Sequence, residues 1–245
     1  MDLDRNRRWI ALATTALLAT LAIGGCKATK APVLESGPNA EITHDGLVRV
    51  RWSRYKYVWL KPNADFGRYS RVMMDPVSVG YKRPPRETQG RRSPNQGGFA
   101  LSDSQMADLK RYFSEAFEKA LGKLDNFAMA DSVGPQTLRV EAAIIDLVVN
   151  VPTRPSGGER VFTTSAAQMT LVMELRDSIT GEILARVADR RDTQSGSGAV
   201  SDLTYSTPAT NAGGVRLLFK RWAQILATRL DAIHNAPPVG VPAVD

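Results

Sequence analysis

The segment "SAAQMTLVMELRDSITGEILARVADRRD", residues 165–192, decides the fold because its pattern is that of a β-hairpin. Apolar and polar residues alternate on both sides of "DSITG", which is the period of half-buried strands. The alternating apolar positions are Met169, Leu171, Met173 and Leu175 before the turn, and Ile183, Ala185 and Val187 after it. Gly181 can adopt the positive φ that such a turn requires. The sequence therefore predicts two antiparallel strands here.

Further strands are predicted on the N-terminal side of this hairpin. "QTLRVEAAIIDLVVN", residues 136–150, alternates until Ile144 and Ile145, where the apolar phase shifts as it does at a β-bulge. "VRVRWSRYKYVWLK", residues 48–61, is rich in β-branched and aromatic residues and predicts a strand. "RVMMDPVSVG", residues 71–80, predicts a second short strand, with Pro76 at an edge or a strand end. "NFAMADS", residues 126–132, is a further short candidate.

Two amphipathic helices are predicted on either side of the long strands. The first runs from Ser102 to about Leu121, because Ser102 and Gln105 can form a capping box and Gly122 stands where a C-cap is expected. The second runs from about Val215 to His234. The basic residues expected on its outer surface are Arg216, Lys220, Arg221 and Arg229.

These elements predict an α+β single domain over residues 47–234, with a mostly antiparallel sheet of about five or six strands packed against two helices. Residues 193–214 are rich in Gly, Ser and Thr, which predicts a long connection before the second helix. Residues 235–245 form a Pro-rich tail that we expect to be disordered.

The N-terminus predicts export. Basic residues precede an uncharged apolar run from Trp9 to Ile23, as in a signal peptide. Ile23, Gly24 and Gly25 then lead to Cys26, a pattern similar to the bacterial lipobox. We therefore expect a signal peptide over residues 1–25, cleavage between Gly25 and Cys26, and lipidation (palmitate) of Cys26. The alternatives are an uncleaved membrane anchor and a free thiol.

The residues after the cysteine predict where the anchored protein resides. Residues 26–46 begin small and polar with two prolines, which predicts a flexible tether. Lys27 occupies the position directly after the cysteine. An aspartate at this position would resemble an inner-membrane retention signal. The expected location is therefore the outer membrane, with the domain facing the periplasm.

The chain is basic, with a formal net charge of +7 and a pI of about 9.7. Export removes nucleic acid as the expected partner and favours anionic lipid or cell-wall polymer. A Pro/Gly-rich segment, residues 81–98, concentrates this charge and is either a solvated connection or an anion-binding loop. Its basic residues are Lys82, Arg83, Arg86, Arg91 and Arg92.

Segments spread along the chain resemble one known family. They are "YKYVWLKPNADFGRYSRVMMDPV", "LSDSQMADLKRYFSEAFEKAL", "LRVEAAIIDLVVN", "MELRDSITGEILARVADRR" and "FKRWAQILATRLD". In this order, from Tyr55 to Asp231, they are similar to domain-of-unknown-function family 3313 of bacterial lipoproteins. The resemblance implies a secreted, lipid-anchored protein and no activity, and it carries over only the lipidated cysteine position, Cys26.

No catalytic, metal or cofactor motif stands out, so we expect no cofactor. His44 and His234 have no companion at metal-ligand spacing, and "SGSG" at residues 195–198 lacks the context of a nucleophile or phosphate loop. Carboxylates in or near the strands could face each other as in glycosidases, or could simply lie on the polar face of the sheet. They are Asp146, Glu174, Asp177, Glu182 and Asp189.

Three functions are open at this point. The leading hypothesis is a non-enzymatic binding or accessory subunit that contacts an envelope protein. The alternatives are a hydrolase acting on cell wall or lipid through a carboxylate pair, and a binder of anionic lipid or polysaccharide through the basic loop.

Overall fold

The computed structural model describes residues 32–85, 97–151, 162–163, 165–193 and 204–240. The strands, in chain order, are β1 (Val48–Arg49), β2 (Tyr57–Leu60), β3 (Arg71–Met74), β4 (Ser78–Tyr81), β5 (Ala128–Met129), β6 (Thr137–Val149), β7 (Phe162–Thr163), β8 (Ala167–Asp177), β9 (Ile183–Asp192) and β10 (Thr204–Tyr205). The helices are α1 (Asp103–Leu121) and α2 (Pro208–His234), with a 3-10 turn at Phe66–Arg68.

The predicted hairpin is confirmed as the antiparallel pair β8 and β9. Its turn contains Gly181 with φ of +71°. The Asp177 carboxylate stabilises the turn, because its Oδ1 accepts hydrogen bonds from the backbone N–H groups of Ile179 and Thr180, both at 2.9 Å. This is the local bonding expected of an aspartate at the start of a turn.

The predicted bulge lies in β6, which pairs antiparallel with β8. The register passes from Ile145 opposite Thr170 to Val148 opposite Gln168, so β6 carries one extra residue. The extra residue is accommodated at Asp146, whose φ is +53°. The buried positions change accordingly from Ala142 and Ile144 to Leu147 and Val149, which confirms the predicted phase shift.

In the described part of the chain, the main sheet has eight strands rather than the predicted five or six. Its order is β1-β2-β9-β8-β6-β3-β5, and β4 also pairs with β6. The count is higher because residues 48–61 form two short paired strands instead of one, and residues 71–80 divide at Pro76 into β3 and β4. The sheet is mostly antiparallel, but β3, β4 and β5 join it in parallel.

Helix α1 matches its prediction. Ser102 and Gln105 form the capping box, and the N–H of Gly122 donates to the carbonyl of Glu118 at 2.8 Å. The buried face of the sheet and both helices share one hydrophobic core. Within it the ring of Phe113 stacks on Phe117 at 4.2 Å and meets Phe219 edge to face at 5.4 Å.

Helix α2 begins at Pro208, earlier than the predicted Val215. The expected connection over residues 193–214 is therefore partly helical. Thr207 and Thr210 form a capping box, and Pro208 occupies the first helical turn, where its fixed φ suits a helix. The segment whose Thr- and Gly-rich composition suggests a loop therefore contains the start of a helix.

The described segments at both ends of the domain contact the sheet or its loops. Leu34, in the segment predicted as a tether, is fully buried and bridges Val50. In the predicted tail, the carbonyl of Val239 accepts a hydrogen bond from the N–H of Asn63 at 3.0 Å. Residues 1–31 and 241–245 lie outside the described residues. Within the described ranges, no helix is long and apolar enough to cross a membrane.

Candidate anion-binding groove

A wide groove of about 1250 Å³ lies along α1 and α2 and reaches two arginines from the strand side of the domain. Among the described residues, seven basic side chains line it, against two acidic ones, Glu115 and Asp231. We call this surface the basic groove. Its basic residues are Arg54, Lys119, Lys123, Arg191, Arg216, Lys220 and Arg221.

The spacing of the helical residues explains the charge of the basic groove. Lys119 and Lys123 are four residues apart in or just after α1, and Arg216 and Lys220 have the same spacing in α2, so each pair lies on one side of its helix. The adjacent faces of both helices are buried. Packing the helices together therefore brings two cationic edges to one groove, whose apolar lining includes Ile225.

Both acidic residues of the basic groove already have partners. Glu115 forms an ion pair with Arg111 at 2.8 Å, and Arg111 is outside the groove. The carboxylate of Asp231 accepts a hydrogen bond from the side-chain amide of Asn126 at 3.0 Å. A neutral amide leaves the charge of Asp231 in place, but with seven basic residues against two acidic ones the groove keeps an excess of positive charge.

A buried carboxylate holds one end of the basic groove in place. The Nε of Arg191 donates to Asp189 Oδ2 at 2.6 Å, and its Nη2 donates to the carbonyl of Arg54 at 3.0 Å. Asp189 is only 4% exposed and also accepts hydrogen bonds from Trp222 Nε1 and from the backbone N–H of Lys56, at 2.7 and 3.0 Å. The position of Arg191 is thus tied to the core.

Tyr55 belongs to the same buried polar cluster. Its hydroxyl donates to the carbonyl of Trp222 at 2.6 Å. Burial, and then the charge of Asp189, raise the pKa of the Tyr55 hydroxyl well above its usual range, so it stays protonated and acts as a donor.

An apolar cavity of about 490 Å³ adjoins the basic groove, and Tyr112 and Arg216 line both. We call it the apolar chamber. It lies between the first halves of the two helices and the ends of β6 and β8. Its apolar lining includes Leu101, Leu109, Val149, Met169, Ala212 and Val215.

The predicted anion-binding loop lies only partly within the described residues. Lys82 and Arg83 are exposed at the end of β4, and neither is among the described residues that line the basic groove. Gly25, Cys26, Arg86, Arg91, Arg92 and the "SGSG" segment lie outside the described residues. The sequence offered this loop as one candidate for anion binding and did not point to the groove. The four-residue spacing of cations on both helices was the available signal.

Most of the carboxylates considered for catalysis have structural partners in the described part of the chain. Tyr69 donates to Asp177 Oδ2 at 2.9 Å, and hydrogen bonds, first from the Thr180 backbone, hold the pKa of Asp177 below its usual range. Glu182 pairs with Lys61, Asp189 has the partners given above, and Glu174 pairs with two arginines. Asp146 occupies the bulge. Among the described residues, four of the five carboxylates thus bind donors or cations of this chain.

Glu174 belongs to a chain of ion pairs of alternating sign across the sheet face opposite the helices. We call this chain the charge ladder. Its members, in spatial order, are Asp45, Arg186, Glu174, Arg176, Glu141, Arg139 and Asp75. Arg176 Nε lies 3.0 Å from Glu141 without forming a hydrogen bond, so that link is ionic only.

Neither histidine belongs to a metal-binding cluster among the described residues. His44 is exposed, and His234 Nδ1 lies 3.3 Å from the carbonyl of Phe66 while its ring packs against Phe127 at 4.9 Å. In the part of the chain that the structure describes, no three His, Cys, Asp or Glu residues are grouped so that they could hold a metal ion.

The chain belongs to the family described as "Protein of unknown function (DUF3313)", whose model matches residues 44–224. This confirms the resemblance seen in the sequence. The family description gives no activity, and no curated protein matches the chain.

Several solved structures are similar to this chain at low identity. A PelC dodecamer from Paraburkholderia phytofirmans is 10% identical over 69% of this chain and 96% of that chain, with a TM-score of 0.33. The hypothetical protein CT253 from Chlamydia trachomatis is 12% identical over 67% and 98%, with a TM-score of 0.35. Protein XCC0632 from Xanthomonas campestris is 12% identical over 80% and 90%, with a TM-score of 0.34. Similarity at this level supports no conclusion about function.

Proposed function

We propose that this protein is a lipid-anchored lipoprotein of the outer membrane that faces the periplasm and acts there as a non-enzymatic binding subunit. Its binding surface is the basic groove, and its ligand is an anionic component of the envelope. The observation that carries the proposal is the groove itself, where seven basic residues, one of them (Arg191) paired with the buried Asp189, face two acidic residues.

The shape of the basic groove supports anion binding as much as its charge does. A concave surface lined by one sign of charge over low-dielectric walls focuses the electrostatic potential and raises the local concentration of an oppositely charged ligand. Several arginines also suit phosphate and carboxylate groups, which guanidinium can bind through two parallel hydrogen bonds. The partners of the strand carboxylates, in contrast, favour a structural role over a hydrolase.

Binding to vesicles tests the role of the basic groove. The variant Lys119→Glu/Lys220→Glu reverses two exposed charges of the groove. The variant Arg71→Glu/Lys110→Glu makes the same change of net charge at exposed positions outside it. Vesicles of phosphatidylethanolamine with and without phosphatidylglycerol are sedimented with each protein. We expect the groove variant to bind the anionic vesicles about tenfold more weakly than wild type, and the control variant to lose little. Equal losses in the two variants would show that net charge alone is responsible.

The anchor needs a separate experiment. Metabolic labelling with palmitate in the producing bacterium should label the wild-type protein and not Cys26→Ala. Fractionation of the envelope should place the labelled protein in the outer membrane. Equal labelling of both forms would remove the lipid anchor from the proposal and leave the basic groove untouched.

A subunit of this kind acts beside another envelope protein, and crosslinking in cells can test this. A photo-crosslinking residue at position 123 lies in the basic groove, while one at position 110 lies on the exposed side of α1, outside it. We expect a defined crosslinked product from position 123 that is absent from position 110 and lost in Lys119→Glu/Lys220→Glu. Identical products from both positions would contradict a partner at the groove.

A further inference from the structure

The apolar chamber and the basic groove form one continuous site, because Tyr112 and Arg216 line both. The chamber, at about 490 Å³, has the size of a small-molecule site, which typically spans roughly 300–1,000 Å³ and is mostly apolar with a few polar groups. A long polar polymer bound only to the groove would leave this chamber unused.

The charge is positive where the apolar chamber meets the basic groove. Arg216 is the one basic residue among the described residues that line the apolar chamber, and Asp108 is the one acidic residue. Asp108 is paired with Arg111 at 2.7 Å. Arg216 forms no ion pair within the described part of the chain, so its charge is available to a ligand.

Tyr112 holds Arg216 in position. The guanidinium Nη2 donates to the Tyr112 hydroxyl at 2.7 Å, and the guanidinium carbon lies 4.0 Å from the centre of the Tyr112 ring. Stacking on an aromatic ring leaves the edge of a guanidinium open to oxyanions. One N–H of the Arg216 guanidinium donates to Tyr112. The remaining N–H groups of Arg216 can bind a phosphate oxygen.

From this arrangement we infer that the ligand is an anionic amphiphile, with an acyl chain in the apolar chamber and a phosphate headgroup bound by Arg216 and the neighbouring cations of the basic groove. The inference rests on the proposed function of the groove and names the class of its ligand. A neutral amphiphile would leave the cations unused, and a headgroup without a chain would leave the chamber unused.

Three soluble probes separate the contributions of chain and charge. They are a monoacyl glycerophosphate, glycerol 3-phosphate, which has the headgroup without the chain, and a monoacyl glycerophosphocholine, which has the chain with a zwitterionic headgroup. Calorimetry below the micelle concentration should give the first probe an affinity about tenfold or more above the other two. Equal binding of glycerol 3-phosphate would overturn the chain's place in the chamber. Equal binding of the choline probe would overturn the role of charge.

Two variants locate the probe. Ala212→Phe fills the apolar chamber from α2, and its matched control Ala107→Phe adds the same ring at an exposed position of α1 outside the chamber. We expect Ala212→Phe to weaken binding of the monoacyl glycerophosphate about tenfold and Ala107→Phe to leave it unchanged. Arg216→Ala should weaken binding of the monoacyl glycerophosphate more than binding of the glycerophosphocholine, whose phosphate carries less negative charge and is balanced by its own ammonium group. Circular dichroism melts confirm that each variant is folded.

The outcomes distinguish the two proposals. If Ala212→Phe binds the monoacyl probe as wild type does, while Lys119→Glu/Lys220→Glu still loses vesicle binding, the acyl site is wrong and the basic groove stands. If neither change affects its ligand, both proposals fail.

Discussion

The carboxylate of Asp189 and the indole of Trp222 are joined by a hydrogen bond of 2.7 Å in the interior, where they are 4% and 0% exposed. This contact connects β9 to α2. The same carboxylate oxygen accepts from Arg191 at 2.6 Å, so one buried group fixes both the seating of the helix and an arginine of the basic groove. The packing of the core and the geometry of the candidate site therefore depend on the same side chain.

Replacing Asp189 by alanine should destabilise the protein strongly. The change leaves the Trp222 indole N–H and the Lys56 backbone N–H without their acceptor and removes the ion-pair partner of Arg191. Losses of this kind cost about 3–5 kcal/mol. Urea unfolding followed by tryptophan fluorescence measures the change. Asp125→Ala, at an exposed position, is the control and should stay within about 0.5 kcal/mol of wild type. Equal effects would mean that the buried cluster adds no stability.

The contribution of Asp45 should depend on acidic pH. The hydrogen bond from the Thr43 hydroxyl, followed by the hydrogen bond and the charge of Arg186, lowers the pKa of Asp45 to about 2. In the unfolded chain an aspartate has a pKa of about 3.9. Because the folded pKa is the lower one, the ionised group stabilises the fold above about pH 4, and this stabilisation is lost as the pH falls towards 2.

Urea midpoints across this pH range test the linkage. The wild type should be more stable than Asp45→Asn at pH 5, and the difference should shrink as the pH approaches 2. Asp125→Asn provides the control, with no such convergence expected. A difference between wild type and Asp45→Asn that is constant with pH would exclude the linkage.

The bulge in β6 should tolerate only some residues at position 146. Asp146 has φ of +53°, a conformation that aspartate, asparagine and glycine adopt more readily than β-branched residues do. Asp146→Val should therefore destabilise the fold by about 1–2 kcal/mol, while Asp146→Asn should be close to neutral. The free energy of unfolding in urea checks both. If the two variants are equally stable, the backbone at the bulge is not under this constraint.

Features encoded by neighbouring residues could be predicted from the sequence, and those that depend on distant residues could not. The β8–β9 hairpin, the bulge after Ile145 and the capping box of α1 each follow from a local pattern. The parallel pairing of β3 with β6 joins segments more than sixty residues apart, and no local pattern encodes it. The basic groove has the same origin, because it exists only where α1 and α2 pack together. The start of α2 was missed for a different reason, since Thr and Gly suit loops and helix N-termini alike.

The central pair of the charge ladder should contribute more stability than an ordinary surface pair. Glu174 and Arg186 lie directly opposite each other on β8 and β9, with Glu174 Oε1 2.7 Å from Arg186 Nε and side chains 18% and 21% exposed. The Lys61–Glu182 pair, with side chains 38% and 51% exposed, is the matched control.

A double-mutant cycle with Glu174→Gln and Arg186→Gln should give a coupling of about 1 kcal/mol at low salt, against less than about 0.5 kcal/mol for Lys61→Gln and Glu182→Gln. In 1 M NaCl the first coupling should persist in part, because partly buried charges are screened less than exposed ones, while the second should vanish. Equal couplings would reduce the ladder to a set of independent surface pairs. Because the ladder crosses the face opposite the helices, Glu174→Gln should leave vesicle binding unchanged, and a loss of binding in that variant would mean that the anionic ligand also contacts the sheet.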